Sequence, residues 1–173
     1  MTEWFWNCML YSFLGYLVER LFAAAARMEN QTRRCLWLLP LCPVYGLAMT
    51  AVLALPAAWK TLPWLPLAAG AVTTAVEYAV HWVYEKWLHV RFWDYTGLPL
   101  QIGGRVCLMF SLAWGVLASA ALLIIQPRLD ALIPHIPPGI TAAALFLLTA
   151  DGLVTVRYLT ETGDVTFTAR RWA

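Results

Sequence analysis

Three ionisable side chains fall at steps of four along one stretch of the chain: Glu77, His81 and Glu85. On a helix this spacing places them on one face, where two carboxylates and an imidazole could ligate a metal ion or pass a proton. A straight helix spreads them over roughly 12 Å, so at most two could share one ion without a further ligand. No metal site and no cofactor is expected from them. Glu19, Asp151 and Arg105 join the set. Each lies within or at the edge of an apolar run, where an ionisable group is costly and marks either a function or a buried pair. Arg105 is the natural counter-charge for Glu19 or Glu77, and such pairs would hold a bundle together without doing chemistry. Acid–base catalysis by Glu19, Glu77 or Asp151 ranks low, because no nucleophile stands beside a base. The chain contains no G-x-x-x-x-G-K-[ST], G-x-S-x-G or H-E-x-x-H, so neither P-loop nucleotide binding nor the common hydrolase chemistries are expected of it. The expectation is a protein that is not an enzyme.

The elements that must position these groups are membrane helices. Of 173 residues, 61% are hydrophobic and 13% charged, about half the charge of an ordinary soluble domain. A spanning helix needs about 20 mostly apolar residues. Five stretches qualify, at about 4–25, 36–59, 62–84, 106–125 and 137–158. The fold class expected is all-α, a polytopic bundle of about five transmembrane helices forming a single domain over 1–173. The net charge of +2 and the lack of a basic run exclude a nucleic-acid partner.

Lys and Arg in short loops set orientation. Nine cationic residues fall on one side: Arg27, Arg33, Arg34, Lys86, Arg91, Arg105, Arg157, Arg170 and Arg171. Two fall on the other, Lys60 and Arg128, with Arg20 left inside the first helix. This places the N-terminus outside and the C-terminus in the cytoplasm. The N-terminus resembles a signal peptide, with Ala23-Ala24-Ala25 as a cleavage site. Yet Glu3 occupies the n-region and Glu19-Arg20 interrupts the apolar core, so a retained helix is expected. Of the four cysteines, Cys35, Cys42 and Cys107 fall near the reducing side and none forms C-x-x-C, so all four read as free thiols.

Placed by depth, the polar groups converge on the inner half. Glu19, Tyr45, Glu77, His81, Glu85, Asp94, Arg105 and Asp151 would line a polar vestibule open to the cytoplasm, or be locked in buried ion pairs. Stripes of small residues, Cys107, Ser111, Gly115 and Ser119 on the fourth helix and Cys8, Ser12, Gly15, Glu19 and Ala23 on the first, suit close helix packing. The stretch 90–105 is too polar to span. It is expected as a structured interfacial loop over the vestibule, anchored by Trp93 and Tyr95, with Asp94 as a cap and Gly103-Gly104 making a sharp turn.

Three stretches carry a family resemblance: SFLGYLVE at 12–19, CPVYG at 42–46 and EYAVHWVYEKWLHVRFWDYTGLPLQIGGRVCLMFSLAWGVL at 77–117. In them the chain resembles the CmpB-type family of ABC-transporter type IV proteins, small bacterial membrane proteins, over most of residues 12 to 120. The resemblance picks out Glu19, Pro43, Tyr45, Gly46, Glu77, Glu85, Trp93, Asp94, Tyr95, Gly104, Arg105, Ser111, Trp114 and Gly115. The stretch TRRCLWLLPLCP and the polar tail after Asp151 depart from the family pattern.

The resemblance implies a transport-associated permease subunit in the bacterial cytoplasmic membrane. With no P-loop of its own, it would need a separate ATPase subunit or a homo-oligomer. The rival reading is a membrane regulator or assembly protein docking a protein partner or a lipid headgroup, and the third is an intramembrane enzyme. Apart from the bilayer itself, no ligand is legible.

Overall fold

The computed structural model describes residues 1–25 and 35–165. Arg27, Arg33, Arg34, Arg170 and Arg171, on which much of the orientation argument rests, lie outside the described residues. Of the described residues, 74% are helical. Its helices are α1 (Thr2–Ala25), α2 (Pro43–Leu53), α3 (Trp64–Trp87), α4 (Leu108–His135) and α5 (Pro138–Thr162). Three of them, α1, α4 and α5, are long and apolar enough to cross a membrane. At 24 residues, α3 matches α1 in length, but Glu77, His81, Glu85 and Lys86 make its second half polar.

The largest departure from expectation is the second helix. Instead of one helix over 36–59 there is an 11-residue α2, preceded by a bent, non-helical stretch at 36–39 and followed by a 3-10 turn at Ala57–Lys60. Prolines explain both boundaries. Pro43 lacks an N–H to donate and has its φ preset, so it opens α2 at no cost. Pro56 pushes Leu55 out of helical geometry and closes the far end. At this length α2 reaches only about 16 Å, half the hydrocarbon thickness.

The fourth helix, expected to stop at 125, instead runs on to His135, so Arg128 lies in a helix and not in a loop. Pro127 would ordinarily break it by clashing with the carbonyl four residues earlier. A π turn at Ala121–Ile125 widens the helix just before that point and accommodates the ring.

The core of the bundle is Tyr11, Met49, Val52, Leu65, Ala69 and Ala118, drawn from the first four helices. Close approach depends on glycine where helices cross. A Cβ on Gly115 of α4 would lie 3.2 Å from the Cα of Gly70 and collide with the Pro66 carbonyl of α3. On α1, a side chain at Gly15 would meet the ring of Tyr45. α5 is the outlier. Only Asp151, Thr155 and Leu159 are buried along it, and Ile140, Leu145, Phe146, Leu147, Leu153, Val154 and Val156 are exposed. An apolar surface of that extent suits lipid and not water.

The stretch 90–105 is a non-helical loop. It folds in against α3, with Val90, Trp93 and Tyr95 each 6% exposed or less. Trp93, Tyr95 and Cys107 form a second core cluster with Val80, Tyr84 and Phe110, so the two rings anchor the loop to protein. The exit is a tight antiparallel pair, β1 (Gln101–Ile102) and β2 (Val106–Cys107), with Ile102 opposite Val106. Gly103 and Gly104 turn it at φ of 60° and 70°, backbone that side chains resist. Gly104 is doubly constrained, because a Cβ there would lie 2.7 Å from Asp94 Oδ1.

Candidate functional site

The polar residues singled out in the sequence form four separate groups. The first lines a cavity of about 110 Å³ between α1, α2, α3, α4 and the loop at 90–105. Glu19, Tyr45, Thr73 and Glu77 contribute polar atoms to its wall. Leu14, Met49, Trp114, Leu117 and Ile125 are part of its larger apolar lining. The two carboxylates are held alike. Tyr45 Oη donates to Glu19 Oε1 at 2.8 Å, and Tyr95 Oη donates to Glu77 Oε1 at 3.0 Å. Each tyrosine is itself fixed by an aromatic neighbour on α4. Tyr45 meets Trp114 edge-on at 5.2 Å, and Tyr95 stacks on Phe110 at 5.1 Å. The carboxylates are thus oriented by the rest of the bundle, which is what a binding site needs from its supporting shell.

The second group is one turn further along α3. His81, 2% exposed, lies edge-on to Trp93, and its Nε2 is 2.9 Å from the Trp93 carbonyl oxygen. A carbonyl only accepts, so Nε2 carries the proton. Among the described residues Nδ1 has no partner. His81 therefore holds the loop onto the helix.

The third group lies at the end of α3, beyond the stretch expected to span. Arg105 closes on Glu85, with Nε at 3.0 Å and Nη2 at 2.6 Å from Oε2. Its Nη1 donates to Tyr78 Oη at 3.1 Å. Arg91 pairs with the other Glu85 oxygen. These bonds, first from Arg105 and then from Arg91, hold the Glu85 carboxyl down at about 2 and raise the Arg105 guanidinium. Arg105 therefore pairs with Glu85 and not with Glu19 or Glu77, because the hairpin returns the chain alongside the helix it has just left. Trp93 Nε1 donates to the Arg105 carbonyl at 2.9 Å, tying the two ends of the loop. Asp94 accepts from the Thr96 backbone N–H at 2.9 Å and from the Thr96 hydroxyl, which lower its carboxyl. It caps a turn, with Arg91 at 3.7 Å.

The fourth group belongs to α5. Asp151, 2% exposed, accepts from the backbone N–H of Leu38 at 2.9 Å and of Leu39 at 2.7 Å. Thr155 Oγ1 accepts from Trp37 N–H at 2.9 Å. Non-helical backbone inside an apolar bundle must find such partners, so Asp151 is committed to the stretch that replaces the expected start of the second helix. Asp151, Arg105, Glu85 and His81 do not line the cavity.

Among the described residues no group of three or more His, Cys, Asp and Glu side chains could hold a metal ion. Glu77, His81 and Glu85 share a helix face, but each is engaged by a different partner. Sequence reasoning missed a polar node on α1 and α4. Tyr11 Oη donates to Gln126 Oε1 at 2.9 Å, and Gln126 Nε2 donates to Asn7 at 3.0 Å and to Asp130 at 2.7 Å. A lone amide before Pro127 was its one signal. The buried thiols of Cys35 and Cys42 lie 3.5 Å apart, a proximity their spacing did not announce.

No curated protein and no solved structure matches the chain. A family model described as Putative ABC-transporter type IV matches residues 6–156, which takes in the cavity, the loop and the Asp151 clamp. Its long apolar helices and this match together mark it as a membrane protein, and the chain belongs to the Putative ABC-transporter type IV family.

Proposed function

We propose that the protein is a permease-like subunit of an ABC-type transport system in the bacterial cytoplasmic membrane, and that the cavity between α1 and α4 is where it engages what is moved. The observation that carries this reading is the pair of tyrosine-held carboxylates, Glu19 and Glu77, in the wall of one largely apolar cavity. An apolar pocket with a few oriented polar groups is the usual form of a small-molecule site. The chain has no P-loop, so energy comes from a separate ATPase subunit. The chain crosses the membrane several times, with its N-terminus outside and the loop end of the bundle, bearing Lys86, Arg91 and Arg105, at the cytoplasm.

The test is purification from native membranes after mild cross-linking, followed by an ATP hydrolysis assay. A co-purifying P-loop ATPase is expected, with hydrolysis falling at least tenfold in Glu19→Gln/Glu77→Gln. Absence of any such ATPase, or unchanged hydrolysis in the double variant, overturns the reading. A second reading, docking of a regulatory protein or lipid headgroup, draws on Arg91 and Asp94, whose side chains are 52% and 48% exposed at the loop end. An ATPase-free complex with a sensor protein would favour it.

A further inference from the structure

Beside the cavity wall lies a stretch whose successive backbone N–H groups donate to another helix. Cys35 and Cys42 both line the cavity and bracket the non-helical residues 36–39. One end is fixed to α1, where Cys42 N–H donates to the Ser12 carbonyl at 2.9 Å. Between the brackets, three successive backbone N–H groups, those of Trp37, Leu38 and Leu39, donate to Thr155 and Asp151. Those two residues sit one turn apart on α5, whose buried residues are Asp151, Thr155 and Leu159.

We propose that Asp151 and Thr155 form a latch through which the position of α5 opens and closes the cavity. The physical basis is bistability. A carboxylate at this depth is tolerated only while its oxygens accept hydrogen bonds, and bonds from backbone N–H to a carboxylate are strong because one partner is charged. Closed, Asp151 binds the segment and so holds in place the two wall residues that flank it, Cys35 and Cys42. With α5 displaced, these bonds to the three N–H groups are broken together and the carboxylate must take water instead, so the wall opens as a hydrated path. Intermediate arrangements leave buried polar groups unsatisfied and are disfavoured. The device deepens the transport reading, since it assigns the gating of the same cavity, and it rests on that reading.

The two wall thiols are built-in reporters, because alkylation needs a water-exposed thiolate. The experiment is N-ethylmaleimide labelling of the full chain in lipid nanodiscs, read cysteine by cysteine by peptide mass spectrometry. Cys107, 1% exposed in the loop cluster, controls for general loosening. In the wild type, Cys35 and Cys42 are expected to react slowly. Asp151→Asn replaces one accepting oxygen with an amide group that cannot accept, and is expected to speed both thiols at least tenfold while Cys107 is unchanged. Thr155→Val removes the Trp37 bond and the hydroxyl's bond to the Asp151 carbonyl while leaving those of Leu38 and Leu39 to the Asp151 carboxylate, and is expected to speed the same two thiols by a smaller factor. Rates within twofold of wild type at Cys35 and Cys42 in both variants overturn the latch. So does a rise in Cys107 that keeps step with them in Thr155→Val, the milder change, which decides the matter if Asp151→Asn fails to fold. No ATPase enters the assay. A failed latch leaves the transport reading standing, and a missing ATPase leaves the labelling result standing.

Discussion

Tyr45 of α2 donates a 2.8 Å hydrogen bond to Glu19 of α1, and the same tyrosine ring fills the space that a side chain at Gly15 would take. One residue thus aims the carboxylate and sets the distance between two helices. In Tyr45→Phe the ring and the packing remain while the hydroxyl is lost. Hydrogen bonds inside membrane bundles contribute roughly 0.6 kcal/mol and at most about 1.7, so a small loss of stability is expected. Chemical denaturation in detergent measures it. A loss above about 3 kcal/mol would mean that the hydroxyl does more than this one bond.

Glycine at the α3–α4 crossing is expected to be intolerant of change. Gly115→Ala forces a methyl against the backbone of Pro66 and Gly70, and overpacking of this kind costs about 1–3 kcal/mol. Gly152→Ala on α5 meets nothing within 4 Å and is expected to be neutral or to stabilise by up to about 1 kcal/mol. Thermal midpoints of the two variants compare them directly, and equal midpoints would contradict the close packing.

The ion network at the loop end makes stability depend on acid. Glu85 is depressed from its ordinary 4.5 to about 2, so its charged form favours the folded state. That contribution is complete above about pH 4.5 and is lost as pH falls from there through about 2. The thermal midpoint is expected to drop across this window. Arg105→Met removes the first of Glu85's two guanidinium partners and should flatten the drop, while Arg128→Ala, on α4 far from Glu85, should leave it unchanged. Identical acid profiles for wild type and Arg105→Met would refute this assignment.

Topology is testable by fusion at Ala173. A fluorescent protein placed there is expected to mature, and alkaline phosphatase to stay inactive, as follows from a cytoplasmic C-terminus. The opposite pair of results would reverse the orientation.

The helices that read well in the sequence, α1, α3 and α5, are those with no proline beyond the first turn. The run at 36–59 is as apolar, but hydropathy does not register that Pro40, Pro43 and Pro56 deny it helical hydrogen bonds, nor that Asp151, 112 residues away from Leu39, supplies the missing acceptor. The fourth helix, expected to end at 125, continues through Pro127 because a π turn absorbs the ring. For the site, depth along a helix was legible and direction around it was not. Glu77 and Glu85 differ by two turns and share a face, yet the first, in the cavity wall, meets a tyrosine and the second meets an arginine near the surface. That division is made by the fold-back of 90–105, whose buried rings gave no period to read. Asp151 looked like a vestibule charge because nothing local showed that its partner is backbone.

The most direct test of the cavity as the seat of function is to fill it. Ala48, 8% exposed, lies in its wall, and Ala48→Phe adds a ring to a space of about 110 Å³. Leu153→Phe, at a position 69% exposed on α5, is the control. Both are assayed for ATP hydrolysis in the complex purified with the proposed ATPase, and for thermal midpoint. The expected result is hydrolysis reduced at least tenfold in Ala48→Phe with assembly intact, and unchanged hydrolysis in Leu153→Phe. An assembled Ala48→Phe complex that hydrolyses ATP at the wild-type rate would contradict the assignment.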